Sequence, residues 1–189
     1  MDARARVILD YWFGDLDHSP EYFKKREPFW FGGGPKVDDY IREHFDADLI
    51  AAVDGRLDSW KQTPKGCLAL IILLDQFSLN LYREQPRSYE QSRLAIPISA
   101  HMVAEGWDLT LSPAERAFVY LPYEHSESLE DQERSVHLHE NLASEAPALI
   151  RKAMDSHLDY ARRHHRVVAK YGRFPDRNDV FGRQSTKEE

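Results

Sequence analysis

The stretch "LPYEHSE", Leu121 to Glu127, sets Glu124, His125 and Glu127 close together in the chain. Two carboxylates beside an imidazole suit general acid–base chemistry, because a carboxylate can orient the ring and move its pKa toward the working pH. His125 and Glu127 are therefore candidate catalytic residues, with Glu124 as a candidate binding residue next to them. His157 is the third catalytic candidate. It shares a helical face with Ala153, Tyr160, Ala161, His164 and Val168 and is expected to point inward. A buried imidazole needs partners for its ring nitrogens. It is then either a core histidine bonded to a carbonyl or carboxylate, or a base open to a ligand.

Polar residues also interrupt the most hydrophobic part of the chain. In "LLDQFSLNLYR", Asp75, Gln76, Asn80 and Arg83 follow directly on an apolar run, and helical spacing places Gln76, Asn80 and Arg83 on one face. They read as a polar pocket cut into a core helix, or as a helix end leaving the core. Near the C-terminus, "GRFPDRNDVFGRQST" carries Arg173, Arg177 and Arg183. Arginine forks hold carboxylates or phosphates in two-pronged fashion. The stretch is thus a structural clasp that folds its arginines onto Asp75, Glu124 and Glu127, or a site with a free arginine for an anionic ligand.

Other chemistries lack their signatures. There is no HExxH, no paired ExxH and no Cys/His cluster, so no metal site is expected. The histidines of "HLHE", His137 to Glu140, stand two apart, point to different sides of a helix and read as solvated. No GxSxG, P-loop or GxGxxG occurs, and "FGGGPK" lacks the Ser or Thr of a phosphate loop. No cofactor is expected.

The elements that must position these groups read as helices throughout. Apolar residues recur at spacings of three, four and seven, while long strand-type alternations are absent. Val37 to Val53 marks a helical face that stops at Asp54-Gly55, and "ARARVILDYWFG" and "SPEYFKKREPFWFGGG" precede it. Leu70, Leu74, Phe77 and Leu81 extend one face from the apolar run, and Thr63-Pro64 offers its start. A helix apolar nearly all round is a central one. "RSYEQSRLAIPISAHMVAEGWD" follows, with a kink expected at Pro97. "SPAE" is a capping-box start at Ser112 whose helix Pro122 is expected to end or bend, Ser128 offers another cap, and a last helix spans about 148–171 before Gly172. Short turns between seven or eight helices imply antiparallel helical hairpins, stacked or bundled.

Composition narrows the partners. The chain of 189 residues holds 25 Lys and Arg against 32 Asp and Glu, a net charge of −7, which gives no clustered cations for nucleic acid. The lone Cys67 lies in an apolar run and suits a reducing compartment. The longest apolar run, Cys67–Leu74, falls short of the roughly 20 residues that span a bilayer, and the first residues lack the features of a secretory signal. A cytoplasmic protein with no membrane partner is expected.

The stretches "LDYWFG", "LALIILLDQFSLNLYR", "LPYEHSE" and "KYGRFPDRNDVFGRQST" resemble, in order, signature stretches of the bacterial family catalogued as domain of unknown function 924. The resemblance implies an all-helical fold similar to tetratricopeptide repeats and leaves the activity open. It also implies characteristic polar positions at Asp75, Gln76, Asn80, Arg83, Glu124, His125, Ser126, Glu127, His157, Arg173, Arg177, Asn178, Arg183 and Ser185. Two departures stand out: Ser78-Leu79, where relatives commonly read Pro-Arg, and Ser92, near which they commonly carry an acid. One ion pair is thus expected to be replaced. Together these readings predict one all-α domain over 1–189, with 172–189 a non-helical clasp or lid. Its polar pocket is expected to bind a small anionic molecule, with a hydrolase-like enzyme as a sub-case. The alternative is a helical scaffold for a peptide or protein partner, in which the polar cluster only fastens the tail.

Overall fold

The structure is a computed structural model and describes residues 1–189. It contains helices and turns and no strand. Asp2 caps α1 (Ala3–Phe13) by accepting from the Arg4 and Ala5 amides. Ser19 caps α2 (Pro20–Gly32), and Pro35 opens α3 (Pro35–Val53) after a short glycine link. Two hydrogen bonds fasten α2 to the end of α1: Tyr22 Oη donates to the Phe13 carbonyl at 2.9 Å and Trp30 Nε1 to the Trp12 carbonyl at 2.8 Å.

The central helix runs from Pro64 to Leu81 in three parts: α4 (Pro64–Ile71), a π-helical turn (Ile72–Phe77) and α5 (Ser78–Leu81). Thr63 caps it by accepting from the Gly66 amide. Gly66 is required there, since a Cβ would stand 2.1 Å from the Trp60 carbonyl oxygen. The helix is long and apolar enough to cross a bilayer, with a mean hydropathy of 1.2, yet 83% of it is buried inside the fold. It is the core helix around which the others pack, and its apolar side chains anchor one contiguous cluster with Trp12, Phe45, Phe118 and Leu142.

The segment containing Pro97 is divided rather than kinked. α6 (Pro86–Ser92) passes through a 3-10 turn at Arg93–Ala95 into α7 (Ile96–Ala104), whose first turn takes Pro97 where no backbone donor is needed. The capping box at Ser112 and Glu115 forms and opens α8 (Pro113–Glu124), which accommodates Pro122 without ending there. Ser128 caps α9 (Leu129–Glu145), and α10 (Arg151–Tyr171) ends at Gly172 in the left-handed conformation, φ +68. α9 packs along α10 and against α8. After Gly172 only a 3-10 turn at Pro175–Arg177 is regular.

Candidate functional site

The π turn in the core helix decides where the polar residues go. A π turn holds one more residue than an α turn and shifts the register of the residues after it. Asp75 and Gln76 lie within it, both buried. Asp75 is wholly enclosed and takes three bonds: Oδ1 accepts from His125 Nδ1 at 2.8 Å and from Ser92 Oγ, and Oδ2 accepts from Gln76 Nε2 at 2.6 Å. The carboxylate therefore fixes the proton of His125 on Nδ1 and leaves Nε2 as the acceptor. Ser92, where the family resemblance marks a departure, fills one of the three donor positions around Asp75.

Asn80 and Arg83 do not join this group. Beyond the π turn they face α3, where Asp38 accepts from Asn80 Nδ2 at 2.7 Å and from Arg83 Nε at 2.6 Å. Burial alone would raise the Asp38 carboxyl, but the Arg83 and Asn80 bonds outweigh it and hold it below its ordinary range. The expected convergence of Gln76, Asn80 and Arg83 fails because the extra residue rotates the later turn toward a different helix.

His125 and Glu124 sit where α8 ends. Gln132 of α9, fully buried, donates from Nε2 to the carbonyls of Glu124 at 2.6 Å and Ser126 at 2.7 Å, fastening the turn that presents both side chains. Glu124 forms a second carboxylate–histidine pair, its Oε1 lying 3.0 Å from His164 Nδ1. Burial opposes the charge on Glu124, yet the bond from His164 and the nearby His139 hold its pKa below the usual value. Burial would likewise lower His164, but the bond to Glu124 outweighs it and raises its pKa. Glu124 Oε2 is buried and has no protein partner. The His125 and His164 ring centroids are 6.5 Å apart.

Both pairs meet at a cavity of about 470 Å³. Glu27, Phe31 and their neighbours on α2 form one wall, Leu121, Glu124 and His125 of α8 a second, and Ser156, His157, Tyr160 and His164 of α10 a third. Phe118 holds α2 in place: Trp30 packs edge-on against it at 4.9 Å and Phe31 stacks on it at 6.2 Å. His157 is buried as expected, but it has neither the carbonyl nor the carboxylate partner of a core histidine. Burial lowers its pKa to about 4, with His139 adding to the effect, so it is neutral near pH 7.

His139 corrects the reading of "HLHE" as solvated. His137 is exposed, whereas His139 is fully enclosed, its Nδ1 donating to the Ser135 carbonyl at 2.9 Å. Two residues apart on a helix, one ring faces out and the other in. His139 lies against His157 at 6.3 Å, and burial holds its pKa below the ordinary value. The histidine and carboxylate side chains are not arranged as three ligands around one metal position.

The arginine tail lies outside the cavity. Arg183 forks onto Glu127 at 2.8 and 2.9 Å, and Glu127 also accepts from the Phe174 amide at 2.9 Å. Glu127, a catalytic candidate by sequence, thus fastens the tail. Arg173 pairs with Glu189 at 2.6 Å, Asn178 donates to Glu189 at 2.9 Å, and Ser185 Oγ accepts from Asn178 at 3.2 Å. Arg177 is buried and pairs with no acid. It donates to the His125 carbonyl at 2.8 Å and lies over the rings of Phe174 and Tyr89, 4.1 and 4.3 Å from their centroids. Of the acids expected to receive the arginines, only Glu127 does so, because Asp75 and Glu124 take histidines. Sequence reasoning passed over Glu27 and Gln132, marked Ser92 only as a departure from the family pattern, and left His164 unassigned, although His164 shares the face of His157.

An all-helical protein whose core helix carries a π turn at a buried Asp–His pair is the class that this fold and site define. The chain belongs to a family described as bacterial protein of unknown function (DUF924), whose model matches residues 8–189. It is similar to the solved structure of a protein of unknown function from Agrobacterium tumefaciens, with 30% identity and a TM-score of 0.82 over 98% of this chain and 94% of that one. Comparison with curated proteins gives no match.

Proposed function

We propose that the chain is a hydrolase-like acid–base enzyme acting on a small molecule in the cavity between α2, α8 and α10. His125 is the general base and His164 the general acid. The observation that carries this reading is the pair of carboxylate–histidine dyads, Asp75–His125 and Glu124–His164, that line one cavity with their rings 6.5 Å apart. Asp75 keeps the His125 proton on Nδ1, so Nε2 can accept one. Glu124 favours the imidazolium form of His164, which can donate one.

In a hydrolytic cycle, water loses a proton to His125 Nε2 as its oxygen bonds to the electrophilic centre, and the leaving group takes a proton from His164 as its bond breaks. Exchange with solvent then resets both rings. The volume falls within the range of small-molecule sites. The expected preference for an anion rested on arginines of the tail, and these do not line the cavity.

Small esters, amides, lactones and phosphoesters incubated with the full chain and followed by NMR test this reading. At least one compound is consumed, and His125→Gln and His164→Gln each slow its turnover by about 10²–10⁴-fold while the far-UV spectrum is kept. Turnover indifferent to both substitutions would overturn it.

A further inference from the structure

We propose that the cavity recognises a molecule carrying a protonated amine, whose charge lies among Glu124, Glu27, Phe31 and Tyr160. This deepens the reading of the cavity as an acid–base site and rests on it.

The groups in the wall decide the sign of the ligand. No lysine or arginine lines the cavity, while two carboxylates, Glu27 and Glu124, do. His157 is neutral near pH 7. His164 Nδ1 lies 3.0 Å from both Glu124 Oε1 and the Tyr160 carbonyl, and the Nε2 of His125 is an acceptor. An anion would therefore meet two acids with only the already paired His164 to offset them. Arg177 cannot help, because it borders a separate space of about 10 Å³, room for less than one water.

Glu124 Oε2 makes the strongest unmet demand. The residue is 4% exposed, and this oxygen has no donor from the protein. A buried carboxylate oxygen without a donor carries its desolvation cost in full, and a cation in the cavity beside the carboxylate offsets part of it. A cation does this where a neutral group does not, since the attraction between opposite charges acts without direct contact. Glu27 favours the same choice: burial raises its carboxyl pKa, and a cation beside it restores the ionised form. Phe31 and Tyr160, 56% and 52% exposed, add aromatic faces that attract a cation. Carboxylates with aromatic rings are the wall chemistry of an ammonium site.

Amide NMR of the full chain, titrated near neutral pH with n-butylammonium chloride, sodium butyrate or sodium phosphate at matched ionic strength, tests the proposal. Butylammonium gives saturable shifts at Phe31, His157 and Tyr160, and butyrate and phosphate do not. Glu124→Gln weakens the amine by about ten-fold or more. Should that variant fold poorly, Glu27→Gln and Phe31→Ala, both at less buried positions, each weaken it by about three-fold. Saturation by butyrate or phosphate instead of the amine, or by none of the three, would overturn the proposal. Failure of the acid–base reading shows separately, as turnover indifferent to His125→Gln and His164→Gln with the amine still bound.

Discussion

Asp75→Ala lowers the stability of the fold by about 3–5 kcal/mol, read as a fall in the urea midpoint at unchanged slope. The size reflects the groups that the substitution strands. Ser92 Oγ, Gln76 Nε2 and His125 Nδ1 all donate to this enclosed carboxylate. Without it, three donors lose their acceptor, two of them on buried side chains, and each such group costs about 1–3 kcal/mol. Asp75→Asn keeps the volume and one acceptor oxygen and so costs less, yet it no longer favours the Nδ1 proton on His125. A loss below about 1 kcal/mol for Asp75→Ala would mean that the three bonds do not form.

Mild acid is the second large perturbation. His157 has a folded pKa of about 4 against 6.5 for an unperturbed imidazole, and His139 is lowered in the same direction. Between those values the unfolded chain binds the proton and the folded one does not, so stability falls as the pH drops through 6.5 and levels off below about 4. For His157 alone the loss is about 3 kcal/mol. Glu124 adds to it, since a lowered carboxyl contributes stability above 4.5 that is lost as the pH falls through its folded value. His164 acts oppositely: its raised pKa contributes stability below 6.5 that is lost as the pH rises through its folded value. The stability maximum therefore lies near neutrality, with a steep acid limb. His157→Phe flattens that limb in urea titrations at stepped pH, and an equally steep limb in the variant would contradict the assignment.

The helices were legible because their signals are local. Ser112, Pro113 and Glu115 form the capping box that their spacing predicts, Thr63 and Ser128 cap as expected, and Gly172 stops α10. The site was legible in its residues and not in its connections. Asp75, Glu124, His125 and His157 interrupt apolar faces and could be picked out as inward, but their partners come from other helices. Nothing in "LLDQFSLNLYR" announces a π turn, so the α register wrongly grouped Gln76 with Asn80 and Arg83. The arginines drew attention because they are sparse cations in an acidic chain, yet their bonds fasten the tail. Glu27 carried no signal, since its role depends on how Trp30 and Phe31 seat α2 against Phe118.

Asp75 holds His125 with its proton on Nδ1 and Nε2 as the acceptor, across the cavity from His164, whose pKa Glu124 raises. ¹⁵N NMR of histidine-labelled protein across neutral pH measures this directly. The account predicts the Nδ1–H tautomer for neutral His125, its loss in Asp75→Asn, and a His164 ring that stays protonated above the ordinary histidine range. An Nε2–H tautomer at His125, or a His164 ring that titrates below the ordinary value, would contradict it.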